Sequence, residues 1–166
     1  LDGVCKALAA VVDARPDVEV VLPVHRNPRV ARTVEAALGD RDRVRLVEPL
    51  GYAEFQSALR QSHLVLTDSG GVQEEAPTWG VPVLVARRTT ERSEAVAAGV
   101  ASLVGLDGAR IERAMLDLLD DPAAHEAMRA RSNPFGDGAA AARIAARIAD
   151  DLGAAPSEDA AAAAVA

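Results

Sequence analysis

The chain has 166 residues and a formal net charge of −7, with 25 acidic side chains against 18 Lys and Arg. That excess of acid disfavours a general nucleic-acid or anionic-membrane surface, while leaving room for a local basic pocket. Hydrophobic residues make up 49% but aromatics only 2%, so one domain with a core of Val, Leu and Ala is expected.

The first predicted element is a helix carrying Val4, Leu8, Val11 and Val12 on one face, ended by Arg15-Pro16. Its single cysteine, Cys5, allows no internal disulfide and fits a reducing compartment; among apolar neighbours it reads as a core thiol rather than a nucleophile. The chain opens on Leu1 in what reads as mid-helix, without a signal peptide, and an upstream segment is expected.

Val18–Val24 reads as a buried strand ending in His25-Arg26-Asn27-Pro28, followed by a helix over Val30–Leu38 closed by Gly39. Val44–Val47 is a short strand, and Tyr52–Gln61 a helix with Tyr52, Phe55 and Leu59 on one side. Val81–Val85 is the next strand, and it leads into the polar loop Arg87–Arg92. A short helix over Ser93–Ala98, a strand over Ser102–Val104 and an amphipathic helix around Ile111, Met115, Leu118 and Leu119 follow. Asp121-Pro122 starts another helix. Asn133–Gly138 is turn-rich, and Ala139–Leu152 is helical with Ile144 and Ile148 in its apolar stripe. From residue 153 the chain is Ala-rich and lacks large apolar anchors, which predicts a disordered tail over 153–166. No run is long enough to span a bilayer as a helix.

The stretch that organises this order is His63–Glu75, H-L-V-L-T-D-S-G-G-V-Q-E-E. Leu64, Val65 and Leu66 make a strand that Thr67 and Asp68 end. Ser69, Gly70 and Gly71 then make a turn into a helix that Pro77 shortens or kinks before Gly80. Two glycines let a ligand approach the backbone, and Ser69 is placed as an N-cap, so the turn suits an anion such as phosphate. A plain strand-turn-helix with solvated acids fits the same residues. Glu74 and Glu75 follow one turn later, and a carboxylate there has two acceptors for a vicinal diol.

Strands and helices alternate throughout, which means a Rossmann-like α/β fold: a parallel sheet with helices on both faces. Ligands bind beyond the carboxyl ends of such strands. His25-Arg26-Asn27, Asp68–Gly71 and Arg87–Arg92 all fall there. His63 and His125 read as solvent-facing, Trp79 as packing, and Asn133 and Asp137 as loop-fixing and capping residues.

The run Leu66–Glu94, L-T-D-S-G-G-V-Q-E-E-A-P-T-W-G-V-P-V-L-V-A-R-R-T-T-E-R-S-E, closely resembles the non-hydrolysing UDP-N-acetylglucosamine 2-epimerases. So do Pro23–Pro28 and Asn133–Gly138, in matching order and spacing, and the resemblance covers residues 1–152. It implies the UDP-binding C-terminal half of a GT-B-type two-domain fold. By resemblance Ser69, Gly70 and Gly71 hold the diphosphate, Glu75 binds the ribose hydroxyls, and Arg92 contacts the diphosphate region. Leu50 and Phe55 line the uracil pocket, and His25 and Asn27 are pocket candidates. Leu50 stands where the family usually has glutamine, and Ser93 where it usually has proline.

The implied reaction interconverts UDP-GlcNAc and UDP-ManNAc by eliminating UDP and adding it back, with no metal and no cofactor. The resemblance also implies a cytoplasmic homodimer serving cell-surface polysaccharide synthesis. The family's acid/base residues and a histidine-arginine motif lie upstream, in an N-terminal domain this chain lacks, so its catalytic residues are unassigned. The donor domain of a GT-B glycosyltransferase, or a non-catalytic UDP-sugar-binding remnant, are the alternatives. Upstream too lies the first strand of a 3-2-1-4-5-6 sheet. Without it the strands near Val18 and Leu64 lose their shared neighbour, at about 1–3 kcal/mol per unsatisfied buried group. Against a typical stability of roughly 5–15 kcal/mol, the isolated chain is expected to be marginal or aggregation-prone.

Overall fold

The protein is described by a computed structural model over residues 1–153. Among the described residues five short parallel strands form two sheets. One pairs β1 (Val20–Pro23) with β2 (Val44–Val47), in the register Val20 to Val44. The other runs β3 (Val65–Thr67), β4 (Val83–Val85), β5 (Ala101–Leu103), with Val83 between Val65 and Ala101. The strand near Val18 is shorter than its apolar run predicts, and its residues are half-buried or exposed rather than sealed. In contrast β4 is buried throughout, as expected of an uninterrupted apolar run paired on both edges.

Among the described residues β1 has a partner only in β2 and β3 only in β4. The pairing is what a 3-2-1-4-5-6 order leaves when its strand 1 is removed. Yet the two sheets share one core: Leu22 and Val24 on one side and Leu64, Leu66 and Leu84 on the other belong to a single apolar cluster. Helix α1 (Asp2–Ala14) supplies Cys5, Leu8, Val11 and Val12 to it, α2 (Pro28–Leu38) supplies Val34 and Leu38, and α6 (Gly108–Asp120) supplies Ile111, Met115 and Leu118. Burial pushes the Cys5 thiol's pKa up, which fits the reading of a core residue.

A second cluster lies under the other sheet. Leu59 of α3 (Tyr52–Gln61) meets Ala76, Val81, Val83 and Val85, with Phe55 and Phe135 packed against it. Tyr52, expected on the same side as Phe55 and Leu59, is instead 73% exposed at the first residue of α3.

Pro77 is accommodated by a change of helix type. Helix α4 (Gly70–Glu75) stops one residue before the 3-10 turn Ala76–Trp79, and Gly80 closes it at φ 66°, a conformation that favours glycine. Helix α5 (Ser93–Ala98) ends the same way on Gly99, at φ 76°. Helix α7 (Pro122–Arg129) is capped by the Asp121 carboxylate. Helix α8 (Ala140–Asp151) forms where expected, but Ile144 and Ile148 are 59% and 52% exposed, so its apolar stripe is uncovered. Of the expected tail only Gly153 lies inside the described residues.

His125 corrects an expectation. It is buried, and its Nε2 lies 2.8 Å from the His63 carbonyl oxygen. The ring of His63, exposed as expected, stacks on it at 3.8 Å between centroids and joins α7 to the entry to β3.

Candidate functional site

The glycine turn at the carboxyl end of β3 is built by local hydrogen bonds. Thr67 Oγ1 accepts from the Ser69 amide at 3.0 Å, which bends the chain as it leaves the strand. Ser69 occupies the N-cap position of α4 with extended backbone, but its hydroxyl makes no cap hydrogen bond. The expected side-chain cap is therefore not formed, and the hydroxyl stays at an exposed surface.

The two glycines serve different neighbours. A Cβ on Gly70 would come within 2.7 Å of Glu91 Oε1, at the tip of a flexible side chain, so that carboxylate rather than the loop backbone would have to shift. A Cβ on Gly71 would meet only Glu75 Oε1 at 3.8 Å and Ser69 Oγ at 3.9 Å, ordinary contact distances. Among the described residues nothing requires glycine at 71.

Glu75 and Arg92 come to the same turn from opposite directions along the sequence. Glu75 Oε1 lies beside Gly71, and Arg92 Nη2 is 3.6 Å from the Cβ position of Gly70. Arg92 Nε donates to Glu74 Oε1, and its Nη1 is 3.8 Å from Glu91. Glu74, read as solvated, is thus the anchor of Arg92. Arg87, at the start of the same loop, pairs with Glu91 at 2.5 Å. Glu91 is held below the usual carboxylate pKa by its own backbone amide and then by Arg87.

One residue that the sequence reading passed over ties the turn to the arginine loop. Gln73 is fully buried; its Nε2 donates to the Ser69 carbonyl at 3.1 Å, and its Oε1 accepts from Thr90 Oγ1 at 2.6 Å. Thr90 Oγ1 in turn accepts from the Arg92 amide at 3.0 Å. The available signal was a polar residue on the inward stripe of α4, between Val72 and Ala76.

Asn133 braces the far end of α4. Its Nδ2 donates to Thr78 Oγ1 at 2.8 Å and to the Glu74 carbonyl at 3.2 Å, while its Oδ1 accepts from the Phe135 amide. Asp137 accepts from the Ala139 amide and pairs with Arg143, which holds its carboxyl well below the usual range. Both thus do the loop-fixing predicted of them.

The remaining candidates are less closely joined. Phe55 packs into the second core cluster and Leu50 is half-buried just before α3. His25 and Asn27 lie in the exposed loop after β1. His25 Nδ1 accepts from the Asn27 amide at 3.1 Å, and Asn27 Oδ1 caps α2 through the Arg29 amide at 2.9 Å. Asn27 therefore has a structural task of its own. A shallow concavity of about 610 Å³ is lined by Pro77, Thr78, Gly80, Arg131, Asn133 and Gly136 to Gly138, and shares no residue with the Ser69–Gly71, Glu75, Arg92 cluster. In that cluster Ser69 and Gly71 are exposed while Gly70, Glu75 and Arg92 are half-buried. No group of His, Cys, Asp and Glu able to hold a metal ion occurs among the described residues.

The arrangement can bind an extended anion with a polar end. Backbone amides at a helix start and a guanidinium suit phosphate oxygens. A carboxylate on the same side suits hydroxyl donors.

Comparison with known proteins agrees with that chemistry. A sequence model of the family described as UDP-N-acetylglucosamine 2-epimerase matches residues 1–149. The chain is 48% identical over 144 residues to the UDP-N-acetylglucosamine 2-epimerase of Bacillus subtilis, covering 87% of this chain and 38% of that protein. A crystal structure from Listeria monocytogenes superposes with a TM-score of 0.88 at 47% identity, over 92% of this chain and 41% of that one. The UDP-GlcNAc 2-epimerase of Neisseria meningitidis, solved bound to UDP-GlcNAc, gives a TM-score of 0.85 at 38% identity, over 90% and 40%. The chain spans about two fifths of the length of these relatives.

Proposed function

The chain belongs to the UDP-N-acetylglucosamine 2-epimerase family, and from that premise we propose that it forms the UDP-binding half of an enzyme interconverting UDP-GlcNAc and UDP-ManNAc. The observation that carries the proposal is the convergence of Arg92 and Glu75 on the Ser69–Gly71 turn at the end of β3. The Ser69 hydroxyl, the amides that follow it and Arg92 hold the diphosphate. Glu75 accepts from the ribose hydroxyls, and Leu50 and Phe55 lie toward the uracil.

In this scheme the reaction breaks the bond from C1 to the UDP oxygen as a proton leaves C2, then reverses with inversion at C2. Negative charge grows on the leaving diphosphate. Fixed donors aimed at it lower the barrier most, because they need no reorganisation as the charge appears. Arg92 is prepared for that task by Glu74, which fixes the guanidinium before the ligand arrives. The acid and base for C2 come from a further domain, which faces the open side of the cluster. A strand from the upstream segment fits between β1 and β3, each of which has a strand partner on one edge only among the described residues. With this reading go a homodimeric, cytoplasmic enzyme and a role in supplying sugars for cell-surface polysaccharide. A single buried cysteine and the lack of any described helix long and apolar enough to cross a membrane agree with it.

UDP titration of the wild type against Glu75→Ala tests the site. Loss of a hydrogen bond to a charged group is worth about 1.5–3 kcal/mol, so affinity is expected to fall at least about tenfold. Equal affinity removes Glu75 from the site.

A further inference from the structure

Glu75 is held in an unusual way for a carboxylate at a functional surface. Among the described residues no Arg or Lys pairs with it, whereas its neighbour Glu74 is taken by Arg92. Its partner is a neutral amide: Gln56 Nε2, on α3, donates to Glu75 Oε2. Gln56 Oε1 in turn accepts from the indole Nε1 of Trp79, at 2.9 Å.

The direction of this chain of bonds is forced by chemistry. An indole N–H can only donate. It therefore fixes the oxygen of the Gln56 amide toward Trp79 and the NH2 toward Glu75. A flipped amide would set two donors against each other and a carbonyl against a carboxylate. Arg60, one helical turn after Gln56, lies 5.5 Å from the Trp79 ring centroid and covers the face of the indole. Trp79 is 39% exposed, so water could satisfy its N–H; the bond to Gln56 is not demanded by burial.

We infer that Gln56 and Trp79 are positioning residues for Glu75, an outer relay that turns its Oε1 toward the Ser69–Gly71 turn and keeps its full charge available to hydroxyl donors of the ligand. The inference rests on the reading of Glu75 as the ribose-binding carboxylate. A cation in place of Gln56 would orient the carboxylate equally well but would compete with the ligand for its lone pairs. A neutral donor takes one oxygen and leaves the other. The consequence is specificity for a ribose with its 2′-hydroxyl rather than added stability.

The test compares UDP with 2′-deoxy-UDP by titration calorimetry in the wild type, Glu75→Ala, Gln56→Leu and Trp79→Phe, with thermal melts of each. Trp79→Phe keeps a ring beneath Arg60 and removes only the N–H. The wild type is expected to prefer UDP, and Glu75→Ala to lose that preference by about tenfold or more. Gln56→Leu and Trp79→Phe are expected to lose at least about threefold of it each, with Trp79→Phe melting as the wild type does. A purely structural role would weaken both ligands alike and leave their ratio unchanged. If Glu75→Ala abolishes the preference while both relay variants keep it, the relay is overturned and the ribose reading stands. If the wild type shows no preference, or Glu75→Ala retains it, the ribose reading falls and the relay with it.

Discussion

Gly71→Ala separates what the fold needs from what a ligand needs. The added methyl meets Glu75 Oε1 at 3.8 Å and Ser69 Oγ at 3.9 Å, so nothing among the described residues has to move. Gly71 is exposed and lies in the first turn of α4 with ordinary helical φ, where alanine is the better helix former by up to about 1 kcal/mol. Stability is therefore expected to hold or rise slightly. The methyl does, however, occupy the surface over which a diphosphate would reach the amides of the turn. Loss of one charge-assisted hydrogen bond is worth about 1.5–3 kcal/mol, or roughly 10–150-fold in affinity. Calorimetric titration with UDP reads the second effect and a thermal melt the first. Unchanged UDP affinity in a well-folded Gly71→Ala protein would refute the placement of a ligand on this turn. Gly70→Ala is a poorer probe, since its methyl meets Glu91 Oε1 at 2.7 Å and disturbs the Arg87–Glu91 pair as well.

Asn133→Ala removes three hydrogen bonds, to Thr78, Glu74 and Phe135, from a partly exposed loop, and should cost about 1–3 kcal/mol. A drop of roughly 2–10 °C in Tm is expected, and an unchanged melt would show that the bonds contribute nothing net. His63 has its pKa lowered first by burial and then by His125, so the fold favours its neutral form. Its contribution is complete above the ordinary value of 6.5 and is lost as pH falls through the depressed one. Urea midpoints should decline between about pH 7 and pH 5 in the wild type and decline less in His63→Gln; equal slopes would remove the pair as the cause. The edges of β1 and β3 that lack a partner among the described residues predict a broad, low-temperature transition for the chain on its own, and a sharp melt at high temperature would contradict that.

The parts of the fold legible in the sequence were those set by neighbours along the chain. Val83–Val85 lies within an unbroken apolar run and is the fully buried strand, and Gly80 and Gly99 mark helix ends by the backbone they allow. Ser69–Gly71, Glu75 and Arg92 could be picked out as a set because a specific string carried them, and in space they do meet. What the sequence hid depends on partners far along it. Glu74 reads as a solvated acid until Arg92 arrives from 18 residues away. Gln73 drew no reading because its two partners, the Ser69 carbonyl and Thr90, lie in different segments. His125 was misread for the same reason: its charged helix turns one polar residue inward, onto a carbonyl 62 positions earlier. Tyr52 shows the converse, since helical periodicity gives a face but not which of its residues are covered.

Gln73 has a further consequence. By clasping the turn with one end of its amide and Thr90 with the other, it ties two loops together, and on the proposed UDP-binding role that joins them into one jaw ahead of the ligand. Side chains immobilised on association typically cost about 0.5–1.5 kcal/mol each in lost freedom, and a jaw already set escapes much of that toll. A residue sealed away from the ligand can thus govern how tightly the ligand is held.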